Sequence, residues 1–271
     1  MGAPTVDLLC NGSLYEERNP APGLGDPVLV ATVTVGLIGY DAPDGRRFMI
    51  VDPGMTSDWP KIAGSMKRLG VRTQDVTHVL VTHWDEDHAQ NLERFEGALA
   101  ISAAAAHRVG TPYFGRVPSL YPDGRIEDPR IEFIVVSRGP DGVTPAHSRD
   151  ETIFVIDSAN EGRVAFVGDL LWAPITEVPV DAAARYDRSF TIDIVRKYIM
   201  MRELRDRYPD LRRIYAGHSR APGLTAEEFR LAVAAFEGPA YRPLLTGYVQ
   251  RLRQLADRYE KLLAELPPVA I

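Results

Sequence analysis

The chain has 271 residues, 45% of them hydrophobic, with 31 basic against 37 acidic side chains for a formal charge of −6. That composition is ample for a core, and it disfavours a standing nucleic-acid partner, because a phosphate backbone needs a surplus of Lys and Arg on one face. The single cysteine, Cys10, excludes an internal disulfide and a thiolate cluster, so a reducing compartment fits and any metal must rest on His, Asp and Glu.

One domain over residues 1–271 is expected from the length. Val28 to Tyr40 spans 13 residues with two threonines, too short to cross a bilayer, and predicts a strand. The N-terminus lacks the basic-then-apolar order of a signal peptide, and Val6 occupies the place where a myristoylation motif wants Ser or Thr. A soluble, cytoplasmic protein with no membrane partner is expected. Val28–Gly36 and Arg47–Val51 predict a hairpin around the turn Asp41-Ala42-Pro43-Asp44-Gly45, feeding Asp52-Pro53-Gly54. Helical spacing over Asp58–Leu69 stops at Gly70.

Val76–Thr82 predicts the next strand, and a short helix around Asn91–Phe95 precedes another strand at Ala98–Ser102. Thr111–Arg130, with four prolines and two glycines, reads as a long binding loop or lid. Ile131–Val136, Thr152–Asp157 and Val164–Gly168 predict a second set of strands. Helical spacing resumes over Phe190–Tyr208, and Arg213–Ala216 forms a short strand. Arg202, Arg205, Arg207, Arg212 and Arg213 read as a solvated face interleaved with Glu203 and Asp206. C-terminal helices follow over 225–266: Thr225 and Glu228 make a capping box, and from Tyr241 the positions Leu245, Val249, Leu252, Leu255, Tyr259, Leu262 and Leu266 form an apolar stripe. That stripe either packs on the parent domain or pairs with a second copy as a homodimer.

The six residues His83-Trp84-Asp85-Glu86-Asp87-His88 put two imidazoles and three carboxylates directly after the apolar run Val79-Leu80-Val81. Such a set suits zinc, manganese or iron. His147, Asp169 and His218 likewise end or follow predicted strands beside carboxylates or glycines. His78, five residues before His83 on the same predicted strand, falls on the opposite face and reads as structural.

The order His83, Asp85, Asp87, His88, His147, Asp169, His218 resembles the metallo-β-lactamase superfamily, whose usual first motif is H-x-H-x-D-H. Val51-Asp52-Pro53-Gly54, Thr144-Pro145-Ala146-His147, Val167-Gly168-Asp169 and Ala216-Gly217-His218 are similar to the family's other motifs, so the likeness spans about 28–220. The resemblance implies an α/β (α+β) fold, a four-layer αβ/βα sandwich of two mostly antiparallel sheets with helices outside. It implies two divalent metal ions at one sheet edge. His83, Asp85 and His147 would hold the first, Asp87, His88 and His218 the second, and Asp169 would bridge them, with Asp87 and Asp169 central to catalysis. Asp52 would orient the histidine loop without binding metal.

The chain departs from the pattern at Ala89, at Ala146 and above all at Asp85, which replaces the middle histidine. Two divalent ions set against three aspartates and one bridging hydroxide make the core formally neutral, whereas a histidine at position 85 would leave one positive charge. A neutral core acidifies water less, and its oxygen-rich ligands favour iron or manganese over zinc. The reading that follows is a dinuclear hydrolase whose bridging hydroxide cleaves an ester, lactone, thioester or amide in a small molecule. The alternative is a non-haem diiron oxidoreductase or oxygenase; a binding protein with a degenerate site is a third reading. Trp172, Tyr121 and Arg220 are candidate substrate contacts, with Trp84, Tyr113 and Phe114 behind them.

Overall fold

The computed structural model describes residues 2–17, 28–102, 124–127, 130–135, 151–170, 188–218 and 223–239, and eight further positions between 242 and 261. Its first sheet joins β1 (Thr5–Cys10), β4 (Val35–Ala42), β5 (Gly45–Val51), β6 (Val76–Leu80) and β7 (Leu99–Ile101) in the order β1-β4-β5-β6-β7. Six consecutive residues of β4, from Val35 to Tyr40, are buried, so both faces of this strand are covered. Val35 and Leu37 face a cluster with Ile62 and Met66 of helix α1 (Trp59–Arg68), and Ile38 and Tyr40 face a cluster with the second sheet. Alternating directions of successive side chains on a strand produce this division.

The second sheet runs β13 (Leu224–Thr225), β12 (Arg213–Tyr215), β11 (Gly162–Phe166), β10 (Thr152–Ser158), β9 (Arg130–Val135), β8 (Gly124–Glu127). On β10, Phe154 and Ile156 meet the first sheet, whereas Ile153 and Val155 pack against Met201 and Leu204 of α3 (Arg188–Arg207) and Phe229 and Val233 of α4 (Ala226–Glu237). The result is the helix-sheet-sheet-helix layering expected. Completely buried Phe154 shows the scale of the inner core, since truncating such a ring to Ala costs roughly 3–5 kcal/mol.

Pairing is antiparallel through most of the second sheet, but β5, β6 and β7 run parallel, as do β11 and β12. Parallel neighbours deliver their carboxyl ends to one edge, which is where α/β proteins place ligands. The segments after β5, β6, β11 and β12 carry Asp52, His83, Asp169 and His218.

Several elements differ from expectation. The hairpin forms about the predicted turn, but its first strand is Val35–Ala42; Val28–Thr32 is a separate strand, β3, paired with β2 (Ser13–Glu17). The chain leaves the ladder at Val33 and Thr34. The end of the predicted loop Thr111–Arg130 is the β8–β9 hairpin, with Ile126 paired to Ile131. The helix expected around Asn91–Phe95 is a 3₁₀ turn, Gln90–Arg94, preceded by a single α turn, α2 (Glu86–Ala89). Arg202 and Arg205 contact Asp206, Arg205 also Glu237, and Arg213 contacts Glu161, as a solvated mixed-charge face requires. The C-terminal apolar stripe lies outside the described residues; Arg242, Thr246, Gln250, Arg253, Gln254, Asp257 and Lys261, on its polar side, are helical and exposed. Among the described residues no helix is long and apolar enough to cross a membrane.

Candidate metal centre

β5 ends at Val51, and the next residue, Asp52, takes φ +49°; among the described residues it is the only non-glycine with positive φ. That backbone turn, held by Asp52 N–H donating to Leu80 O at 2.9 Å, points the carboxylate under the segment leaving β6. There Asp52 Oδ1 accepts from Thr82 N–H at 2.8 Å, and Oδ2 accepts from the Thr82 hydroxyl at 2.7 Å and from His88 Nδ1 at 2.9 Å. Because the Thr82 proton goes to a carboxylate that can only accept, Thr82 Oγ1 is left to accept from His83 Nδ1, 3.2 Å away. On the opposite sheet, His218 Nδ1 donates to the Thr32 carbonyl at 2.9 Å.

All three imidazoles therefore have Nδ1 committed to an acceptor, which turns Nε2 toward carboxylates. His83 Nε2 lies 3.5 Å from Asp85 Oδ2, His88 Nε2 3.2 Å from Asp169 Oδ1, and His218 Nε2 3.1 Å from Asp87 Oδ2 and 3.4 Å from Asp169 Oδ1. Two ligand groups emerge whose donor atoms all fall within 4.8 Å of one another: His83, His88 and Asp169, and Asp87, His88 and His218. His88 belongs to both, and Asp169 sits between His88 and His218. A nitrogen lone pair facing a carboxylate is repelled unless a proton or a cation stands between them, so the donor set fits divalent metal ions.

The electrostatics favour positive charge at the same place. Burial opposes protonation of His88, yet Asp52 and Asp169 outweigh it and carry its pKa well above the ordinary value. Burial likewise opposes charge on His218, but Asp169 and Asp87 push its pKa up to about 10. Burial alone would raise Asp169; His218 and His88 hold it well below the usual carboxylate range.

Glycines let the second sheet reach this edge. A Cβ on Gly217 would stand 2.3 Å from Asp169 Oδ1 and 2.9 Å from His88 Cε1. Gly168, at φ +50°, faces Thr82, and a Cβ there would lie 2.7 Å from its Oγ1. Contact at these distances leaves no room for any other residue in the Gly-Asp and Gly-His motifs.

The structure thus brings together His83, Asp85, Asp87, His88, Asp169 and His218, with Asp52 behind the histidine loop. His147, Trp172, Tyr121, Arg220, Tyr113 and Phe114 lie outside the described residues. Trp84 does not line the mouth: it is buried in the outer cluster of the first sheet with Leu92 and Phe95. His78 is apart from both ligand groups, and Glu86 is exposed. Two residues that hold the site have no counterpart in the motif reading. One is Thr82; its signal was a polar residue closing an apolar run, directly before His83. The other is Asn91, whose side-chain amide donates to Pro53 O at 3.1 Å and also to Met55 O, while its backbone N–H donates to Gly54 O at 3.0 Å. Asn91 so fastens the Asp52 loop to the turn that follows His88.

Known proteins share this fold. A curated relative, metallo-beta-lactamase domain-containing protein 1 of Xenopus laevis, is 28% identical over 147 residues, half of this chain; the match spans 58% of that relative's length. The structure of a B. thuringiensis AiiA mutant with N-decanoyl-L-homoserine bound at its active site superposes with TM-score 0.55 at 16% identity, over 81% of this chain and 95% of that one. A peroxy diiron species of the chemotaxis sensor ODP superposes with TM-score 0.55 at 11% identity, over 93% of this chain and 97% of that one. The sequence model of the metallo-β-lactamase superfamily matches residues 30–218, from β3 to the last histidine of the site, and the chain belongs to that superfamily.

Proposed function

We propose that this protein is a dinuclear metal-dependent hydrolase acting on an ester, lactone, thioester or amide bond of a small molecule. The observation that carries the reading is the convergence of three Nδ1-anchored imidazoles on the carboxylates of Asp85, Asp87 and Asp169. His83, Asp85, Asp87, His88, Asp169 and His218 would hold two divalent cations, with His147 added by its T-P-A-H motif. When bound, such ions acidify a water and polarise a carbonyl. The chain's own part is to fix the ligand nitrogens through Asp52, Thr82 and the Thr32 carbonyl, and to keep the site's floor dry, His83 and His88 being completely buried. The acidic chain acts on a small molecule rather than a nucleic acid.

Protein purified without added metal is expected to carry two zinc or manganese ions per chain, to show no visible absorption, and to cleave members of a panel of chromogenic esters, lactones and thioesters. One observation favours a second reading: Asp85 puts a carboxylate beside His83 in a formally neutral core, a setting suited to a diiron redox centre. Two irons with a visible band that responds to oxygen would establish that reading and overturn hydrolysis. Asp85→His is expected to keep the fold and shift metal preference toward zinc; metal content unchanged in medium offering zinc, iron and manganese would remove the charge argument.

A further inference from the structure

β3 and β4 are separated by Val33 and Thr34, and each of these residues faces a different layer. Val33 is buried in the outer core of the first sheet, beside Val35 and Ile62. Thr34, also buried, turns the other way, onto the turn that carries His218 in the second sheet. Its backbone N–H donates to Gly217 O at 2.7 Å, and its hydroxyl donates to Ala216 O at 2.7 Å and accepts from Gly12 N–H at 3.1 Å. Gly12 completes the contact: a Cβ there would lie 2.0 Å from Gly217 O. Two residues earlier, the Thr32 carbonyl receives His218 Nδ1. Both carbonyls preceding His218 and one of its ring nitrogens are therefore held by the three-residue segment Thr32–Thr34 that leads from β3 into β4.

We propose that Thr34 is a positioning residue for His218: its hydroxyl, shared between Ala216 O and Gly12 N–H, sets the turn that aims His218 Nε2 at Asp87 and Asp169. The proposal rests on the dinuclear reading above. Its distinguishing feature is selectivity, because the hydrogen bonds of Thr34 go to the turn of His218 and to Gly12 and none goes to the segment Thr82–His88, so its loss weakens the Asp87–His88–His218 group and spares His83 and Asp85. Partners of this kind behind a ligand typically change metal affinity by roughly 10–100-fold.

The test compares wild type, Thr34→Val, which keeps the shape and removes both hydroxyl bonds, and Thr34→Ser, which keeps the hydroxyl. Zinc and manganese stoichiometry and affinity would be measured by chelator competition, with far-UV circular dichroism and thermal melting on each metal-free protein. Expected are two ions in wild type, one tight ion in Thr34→Val with the second weakened about 10–100-fold, and recovery of the second in Thr34→Ser. Two ions at wild-type affinity in Thr34→Val, with only a lower melting temperature, would overturn the positioning role and leave the dinuclear site standing. Wild type that binds neither ion would instead overturn the dinuclear reading itself. Should Thr34→Val fail to fold, Thr34→Ser decides: loss of the second ion with the hydroxyl still present refutes the assignment.

Discussion

The two sheets build their halves of the site by different means. On the first sheet the ligand loop is held by side chains close in sequence: Asp52 and Thr82 are 30 positions apart, and Asp52 and His88 are 36 apart. On the second sheet the ties end on backbone carbonyls: glycines admit the close approach, and the bonds cross 182 positions from the Thr34 hydroxyl to Ala216 O and 186 from His218 Nδ1 to Thr32 O. A side-chain scaffold declares itself through residue types, whereas a backbone scaffold shows only as glycines, whose neighbours are unknown until the chain is folded.

The largest expected effect tests what the halves share. Asp169→Ala removes the carboxylate between His88 and His218, and it should abolish tight metal binding and lower hydrolysis on the order of a thousandfold, several kcal/mol of transition-state stabilisation. Elemental analysis that still finds two metals per chain would sink the bridging role. Gly217→Ala probes the backbone-held half: its Cβ would meet Asp169 Oδ1 at 2.3 Å, and we expect destabilisation of about 1–3 kcal/mol together with weakened metal retention. Thermal melting and metal content near wild type would show that the turn yields. Asp52→Asn probes the side-chain-held half, leaving the shape but replacing an acceptor of three hydrogen bonds with an amide; metal affinity should fall about 10–100-fold with little change in secondary structure. If Asp52→Asn and Thr34→Val weakened the same metal ion to the same extent, the division into two separately held halves would be wrong.

The same division explains what could be read from sequence. Hydrophobic runs, the capping box at Thr225 and Glu228, and the stop at Gly70, which takes φ +71°, placed the main elements close to their observed bounds. The convergence of His83, Asp85, Asp87, His88, Asp169 and His218 was legible through the motifs that resemble the superfamily, in which three of the chain's six histidines follow strand ends. The break at Val33-Thr34 was not, because Val28–Gly36 is uniformly β-forming and tertiary hydrogen bonds to Ala216 and Gly217 override that propensity. Trp84 was misplaced for a related reason: its place in the ligand motif suggested the mouth, but β6 ends at Leu80 and in the irregular segment that follows Trp84 joins Val81 in the outer core.

The span between Thr32 and His218 also orders events in time. Asp52, Thr82 and the histidine loop can assemble once the first sheet has formed, from contacts within one stretch of chain. His218 acquires its carbonyl partner only after a loop of 186 residues has closed, and its neighbour Asp87 only after one of 131 (218 − 87), and such long-range closures are the slow steps of folding. Metal capture by the complete set would therefore report a finished fold: a chain still in synthesis, or one whose sheets have not docked, offers only His83, Asp85, Asp87 and His88.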